Sequence, residues 1–547
     1  MKTLFSFIFV FITFNYNLFA MDVAKVFSSG MVLQREMKVP IWGWGKAGDK
    51  VSVKFAGQTK NGVVQEGGKW MVHLDPLQAS SENREMSIQV EKESLILKDV
   101  VVGEVWMCSG QSNMGWTVGQ SAAKTKDPAL QAVPDWIAEH KKTARDPLLR
   151  RFSMRQVTSY DKEITNIDVN KWQKKGIWTS ADSEKNIDVF SGVGYFFGRE
   201  LRRELNVPVG VLQTPWGGKK IQPFIPTTTF KNIPKLKKVY EQEWENLKNQ
   251  LSKIDVEKEK SQYQNAMAKW EQGVKEAKKN KTKLPKPPKK WQDPRENANF
   301  PSTIYNAMVN PLVPYGMRGA LWYQGESNQG DSSATYYEYL KALISGWRER
   351  WGQGDFPFYF SQLAGYKSAA LEPKHKSSWA IINDNMRRTL EMKNTGMAVT
   401  NDVGDHKDIH PRNKVDVGKR LALWALAKDY GKTDIVYSGP LYESHSLNGN
   451  KYTITFSSVG DGLMTARKQL LDRPKAVDEP LGGFQISDTK GIWKWAEAKI
   501  VGKNKVEAYH PEIDKPSELR YAWAANPVTA NLYNKSGLPA SCFTTQD

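Results

Sequence analysis

The chain has 547 residues, a formal net charge of +19, 40% apolar and 25% charged residues, and only two cysteines, Cys108 and Cys542. That length exceeds what one hydrophobic core serves, and that composition belongs to a folded chain, so a disordered protein, a coiled coil and a disulfide framework are all excluded. The positive charge is densest over 231–300 and thin elsewhere, without zinc-finger spacing or a glycine–aromatic RNA-binding signature, so it reads as a basic solvated surface and implies no nucleic-acid partner.

Residues 1–20 carry Lys2, an apolar run from Leu4 to Phe14 and a small residue at Ala20, the layout of a cleavable export signal. Asn15 and Asn17 cut the run below the roughly 18 residues a membrane span needs, and no later stretch is apolar for long enough. The expectation is a mature chain starting near Met21, secreted or periplasmic, with no membrane span.

Over 21–98 short alternating runs, such as Val39 to Trp42, Val51 to Phe55, Trp70 to Leu74 and Met86 to Val90, are separated by turn residues and predict a β-sandwich domain. From 99 to 432 the rhythm changes to strand followed by helix. Apolar strands are expected at Val100 to Met107, Val209 to Leu212, Ala320 to Tyr323, Phe358 to Phe360 and Met397 to Thr400. Helical periodicity lies between them at Tyr195 to Leu201, Tyr336 to Trp351 and Val417 to Tyr430. Alternation of this kind predicts an α/β core with a largely parallel sheet, whose sites form at the C-terminal ends of its strands. The segment 232–300 interrupts it with apolar residues every three or four positions, among them Leu236, Tyr240, Trp244 and Trp270, which predicts an inserted helical hairpin. After 432 the pattern returns to strands, from Lys451 to Phe456 through Arg520 to Trp523, and predicts a C-terminal β domain over 433–547. Cys108 falls in an apolar strand, where a small buried thiol is expected, although one disulfide with Cys542 is open to the chain.

Four segments carry residues suited to chemistry. In Val105 to Met114 an apolar strand runs into Gly110 and presents Ser112, with Ser109 as its competitor nearer the strand; a hydroxyl at a rigid strand end is placed to attack a carbonyl. In Val209 to Gly218 a strand ends in paired glycines, whose N–H groups can approach a ligand closely. In Gly319 to Asn328 the amides of Gln324 and Asn328 follow a third strand, with Glu326 between them; uncharged donors there suit an oxyanion, and bracing of loops is the plainer role. In Thr400 to Pro411, His406 and His410 stand among Asp402, Asp405 and Asp408 in a chain with only seven histidines. His410 directly before Pro411 is held as a general base should be, and a metal site of His406, His410 and the aspartates is the rival.

Together the segments resemble the SGNH hydrolase superfamily and, within it, the sialate O-acetylesterase family. The likeness rests on Gly110 to Met114, Trp216 to Gly218, Trp322 to Asn328 and Asp408 to Lys414, and extends to Phe27 to Arg35, Arg520 to Pro527 and Asn531 to Asn534. It implies Ser112 as nucleophile, His410 as base, and an oxyanion hole made of the Ser112 N–H, the Gly218 N–H and the Gln324 side chain, with no metal or organic cofactor. The superfamily commonly carries Asp three residues before its histidine, where this chain has Lys407. Of the three aspartates left, Asp408 is taken as the acid that orients His410, with Asp402 as the alternative. The implied activity is hydrolysis of O-acetyl esters of sugars, most simply of sialic acids, through an acetyl-serine intermediate. The alternatives are an acetylxylan or other polysaccharide esterase, or an inactive carbohydrate-binding protein on the same scaffold.

Overall fold

The computed structural model describes residues 21–168, 176–373 and 376–546; the export signal expected at 1–20 lies outside them. One strand ties its first two units together. Glu93–Gly110 is continuous over 18 residues. Its first part alternates between exposed and buried positions and pairs antiparallel with Ser80–Val90, which in turn pairs with Lys50–Phe55. From Val100 onward every residue is buried, as a strand covered on both faces must be.

That second part is the centre of a mixed sheet. The strands run in the order Trp178–Ala181, Asp146–Ser153, Val209–Gln213, Glu93–Gly110, Gly319–Tyr323, Phe358–Ser361 and Thr395–Ala398. All are parallel except the edge strand Trp178–Ala181. The chain builds one side of Glu93–Gly110 first and crosses to the other side at Gly319–Tyr323. The C-terminal end of Glu93–Gly110 is therefore the point where strand order reverses, the place where open α/β sheets leave a crevice. The position 98/99, expected to divide two domains, falls inside this strand, and the buried residues on both sides of it form a single apolar core.

The helices expected at Tyr195 to Leu201, Tyr336 to Trp351 and Val417 to Tyr430 run over Gly192–Leu205, Tyr336–Trp351 and Lys414–Lys428, and they cover the sheet. Over 232–300 two helices follow one another, Pro234–Leu251 and Val256–Lys279. The first buries Leu236, Tyr240 and Leu247, with Tyr240 against Phe230 at 5.6 Å and Trp244 edge-on to Phe300 at 5.1 Å. Its aromatic residues therefore serve packing. The C-terminal strands form three small sheets around a separate core. They are fastened to the α/β part by Gln362 Nε2 donating to Ser541 Oγ at 2.9 Å and Tyr366 N–H donating to the Ala525 carbonyl at 2.9 Å. The disulfide open to the sequence is not formed: Cys108 and Cys542 are both buried and free.

Opposite the crevice, at the far end of the buried strand, sits the fully buried Glu104. Its carboxylate accepts from Arg35 Nε at 2.5 Å, Gln34 Nε2 at 2.9 Å, Arg318 Nε at 3.0 Å and Tyr430 Oη at 2.9 Å. These partners come from the N-terminal segment, the approach to Gly319–Tyr323 and the end of the last covering helix. A buried carboxylate so surrounded is expensive to break, because its cations are left unpaired. Glu104→Ala is expected to lower stability by about 3–5 kcal/mol. A urea titration followed by tryptophan fluorescence checks this, and an unchanged midpoint would contradict the role given to Glu104.

Candidate active site

Gly110 ends the central strand at φ +133, and a Cβ there would lie 2.2 Å from the Tyr323 carbonyl oxygen. Only glycine lets the two parallel strands close up at this point. The chain then turns into the short helix Ser112–Gly115. Ser112 stands half-buried at its start, where the first-turn N–H groups have no intrahelical partner. Ser109, the competitor, is fully buried in the strand.

His410 comes to Ser112 from 298 residues away, with Nε2 at 2.8 Å from Oγ. Its ring stacks on Trp116, centroids 4.4 Å apart and planes 8° from parallel. On the other nitrogen, Nδ1 lies 3.4 Å from Asp408 Oδ1, an ion-pair distance longer than a good hydrogen bond. The same oxygen accepts the His410 backbone N–H at 3.0 Å, which makes the sharp turn that two residues this close in sequence require. Arg412 donates to the His410 carbonyl at 2.9 Å. Asp402 instead holds Arg420 at 2.6 and 2.8 Å, and Asp405 accepts the Lys407 and Asp408 N–H groups at 2.8 and 3.2 Å. Of the three aspartates, only Asp408 is placed beside the imidazole. His406 is exposed and 3.3 Å from Asp127. Among the described residues no group of three His, Cys, Asp or Glu side chains is placed to hold a metal ion.

The paired glycines meet the same spot. A Cβ on Gly217 would come within 3.3 Å of Ser112 Cβ, whereas Gly218, at φ +70, faces open space. The Gln324 amide does not reach the open site. It is fully buried, and Nε2 donates to Gln111 Oε1 at 3.1 Å, the Lys219 carbonyl at 3.1 Å and Asn328 Oδ1 at 2.7 Å. These acceptors leave no N–H for an oxyanion, so the expectation that Gln324 serves as such a donor is corrected. Gln324 braces the glycine loop and the Ser112 loop, and the equally buried Asn328 accepts the Ile221 N–H at 3.0 Å.

Sequence reasoning passed over Asn113 and Lys414. Asn113 donates to Glu326 Oε1 and to the Ile409 carbonyl, the latter at 3.0 Å, and accepts from Lys414 Nζ at 2.5 Å. Lys414 is fully buried, and burial pushes its pKa down to about 7 against the opposing pull of Glu326. Burial likewise raises Glu326 above the usual carboxylate range. Burial, and then the Lys414 charge, hold His410 below the ordinary imidazole value of 6.5, against the pull of Asp408. Burial alone would raise Asp408, but the His410 N–H and the charges of Arg412, Lys126 and His410 outweigh it and keep the carboxylate ionised. Beside Ser112 opens a cleft of about 1200 Å³, lined also by Trp116, Arg151, Gln156, Ile177 and Gln213.

A family profile described as carbohydrate esterase, sialic acid-specific acetylesterase, matches residues 286–427. Rat sialate O-acetylesterase is 30% identical over 451 residues, 76% of this chain and 75% of its own length. The human sialate O-acetylesterase is 28% identical over 562 residues, 95% of this chain and 91% of its own. Among solved structures, a carbohydrate acetylesterase from Xanthomonas citri superimposes with a TM-score of 0.75 at 28% identity, covering 96% of this chain and 100% of that one.

As a base towards Ser112, His410 must be neutral. The neutral form is complete above its folded pKa and is lost as pH falls through it. Because that value lies below 6.5, the acid limb of kcat/KM for a chromogenic acetyl ester is expected below pH 6.5 as well. Lys414→Met removes the positive neighbour and is expected to move the limb upward. A pH–rate profile of both proteins checks this; a limb at or above 6.5 in the native protein, or one unmoved in the variant, would contradict it.

Proposed function

The chain belongs to the sialate O-acetylesterase family and is a carbohydrate ester hydrolase, and from that premise we propose that it deacetylates O-acetylated sialic acids through an acetyl-serine intermediate on Ser112. The observation that carries this reading is the line of three side chains, with His410 Nε2 at 2.8 Å from Ser112 Oγ and Asp408 at 3.4 Å from Nδ1. That is the arrangement of a nucleophile, a base and an orienting acid.

In the proposed reaction His410 takes the Ser112 proton as Oγ bonds to the acetyl carbon. The oxyanion accepts from the Ser112 N–H and from the Gly217–Gly218 turn, Gly218 being the donor expected from the family. None of these N–H groups has an acceptor among the described residues. The ester bond to the sugar oxygen breaks, and that oxygen leaves with the proton from His410. Water then attacks the acetyl carbon, gives its proton to His410, and acetate departs as Ser112 regains its hydrogen. Asp408 holds the imidazole and balances the imidazolium, while Trp116 fixes the plane of the ring. We read the scaffold as SGNH-type, with flanking β domains over 21–98 and 433–547 around 99–432 and an insertion at 232–300. On the layout of residues 1–20 the mature chain is taken to be exported.

A second reading, an acetylated polysaccharide such as acetylxylan, is favoured by the cleft, since about 1200 Å³ exceeds the usual small-ligand site. Acetate release from O-acetylated sialic acids and from acetylated xylan separates the two.

Ser112→Ala is expected to lower kcat on the order of 10⁴-fold or more with the fold retained. Asp408→Asn is expected to lower it by about two to four orders of magnitude. Asp402→Asn is expected to act on stability, because its carboxylate faces Arg420. Steady-state kinetics alongside thermal melts check all three; a fully active, folded Ser112→Ala protein would remove the mechanism.

A further inference from the structure

Two adjacent arginines on the strand Asp146–Ser153 meet opposite fates. Arg150 is buried and fully engaged: it donates to the Gly30 carbonyl at 3.0 Å, the Asp99 carbonyl at 2.7 Å, Asp99 Oδ1 at 2.9 Å and the Pro147 carbonyl at 3.1 Å. Arg151 projects to the other face, as strand periodicity demands. There it has no acceptor and no carboxylate among the described residues, and its Nε is buried and unpartnered. Its contact is the Phe190 ring, 5.6 Å from the guanidinium carbon.

Arg151 is half-buried, and its Nε is out of water without an acceptor, which is unfavourable; an apolar side chain would fill the same position more cheaply. Burial lowers its pKa to about 10, so it remains charged at neutral pH. Arg151 lines the same cleft as Ser112. Among the described residues lining that cleft Asp99 is the one acid, and it is already bound to Arg150, which leaves the positive charges of Arg151 and Lys185 in excess. A planar fork of N–H donors in a cleft matches a carboxylate, which it can take with two parallel hydrogen bonds.

We propose that Arg151 is the residue that binds the carboxylate of the sugar acid whose ester faces Ser112, and so sets the preference for an anionic substrate. The inference rests on the reading of this cleft as the substrate site. Its consequence is a discrimination: a sialic acid with a free carboxylate is favoured over the same sugar as its methyl ester, which is equal in acetyl group and nearly equal in shape.

The test is the ratio of kcat/KM for 9-O-acetyl-N-acetylneuraminic acid to that for its methyl ester, measured on the same preparation so that the active fraction cancels. The native protein is expected to favour the acid by roughly 10- to 100-fold, the range of a charge-assisted hydrogen-bonded pair. In Arg151→Met the ratio is expected to fall to near one, with the loss carried by KM. Arg151→Lys, which keeps the charge without the fork, is expected to lie between and supplies the reading if the methionine variant does not fold. A native ratio near one, or a ratio unchanged in both variants, overturns the proposal. So does a native protein that cleaves an aryl acetate through Ser112 but neither sialic ester, which leaves the nucleophile standing. Activity surviving in Ser112→Ala would instead strike at the mechanism, whatever the ratio does.

Discussion

The Ser112–His410 pair depends on one buried amide. Asn113 follows Ser112 directly, and its side chain is bonded at both ends: Oδ1 takes the Lys414 ammonium at 2.5 Å, and Nδ2 serves Glu326 and the Ile409 carbonyl. Those partners stand on the helix after the loop of His410, on the loop after Gly319–Tyr323, and on the residue before His410 itself. Two other loops, from two other strand ends, are thus pinned to the residue next to the proposed nucleophile. Lys414 and Glu326 are both buried, and a lone charge in such a place would cost several kcal/mol. With the amide between them each charge has a polar contact, and the backbone that carries His410 is held by the same group. Deep burial of opposite charges is weak evidence for stability, but it defines position sharply, and position is what a serine and a histidine 298 residues apart require.

The same residue types take different parts within a few residues of one another, and the partners decide which. Asp402 and Asp408 are six residues apart; one neutralises Arg420 and the other faces the imidazole. Arg150 and Arg151 are consecutive; one is saturated by Asp99 and carbonyls, while the other lines the cleft and, among the described residues, meets an aromatic ring in place of an acceptor. Gln324 and Asn328, which from their place after a strand could have donated to substrate, are consumed by Gln111, Lys219, Gln222 and Ile221. What distinguishes a working group from a brace here is the presence of a competing protein partner.

That distinction also marks the boundary of what the sequence discloses. Periodicity locates Val209–Gln213, Gly319–Tyr323, Tyr336–Trp351 and the strand that delivers Ser112, because long apolar runs and helical spacing are local properties. The strand Asp146–Ser153 escapes, since Pro147 and the Arg150–Arg151 pair interrupt the apolar pattern and read as a solvated stretch. Its neighbours in the sheet supply the burial that the residues themselves do not announce. The placement of Ser112, His410 and Asp408 close together was anticipated by motif; the fate of Gln324 was not. Its acceptors Gln111 and Lys219 lie 213 and 105 residues away, and nothing in the local segment records them. Lys414 stands before the helical spacing that begins at Val417, and only the packing of that helix on Gly192–Leu205 reveals that it points inward.

The charges around the imidazole bear on how His410, as the proposed base, works at neutral pH. A histidine whose pKa is lowered is a weaker base, yet it is available in full, while one strengthened by a close carboxylate would stand partly protonated and idle. Here burial and Lys414 act in the first direction and Asp408 in the second, and the balance falls below the ordinary value. The long contact of 3.4 Å to Asp408 fits this balance: the carboxylate is near enough to stabilise an imidazolium once formed and far enough not to hold the ring protonated beforehand. Lys414 alone would oppose the imidazolium strongly, but Glu326, on the far side of Asn113, offsets part of its field. The buried pair behind the serine therefore sets the electrostatic level at which the histidine operates as well as the geometry in which it meets its partner.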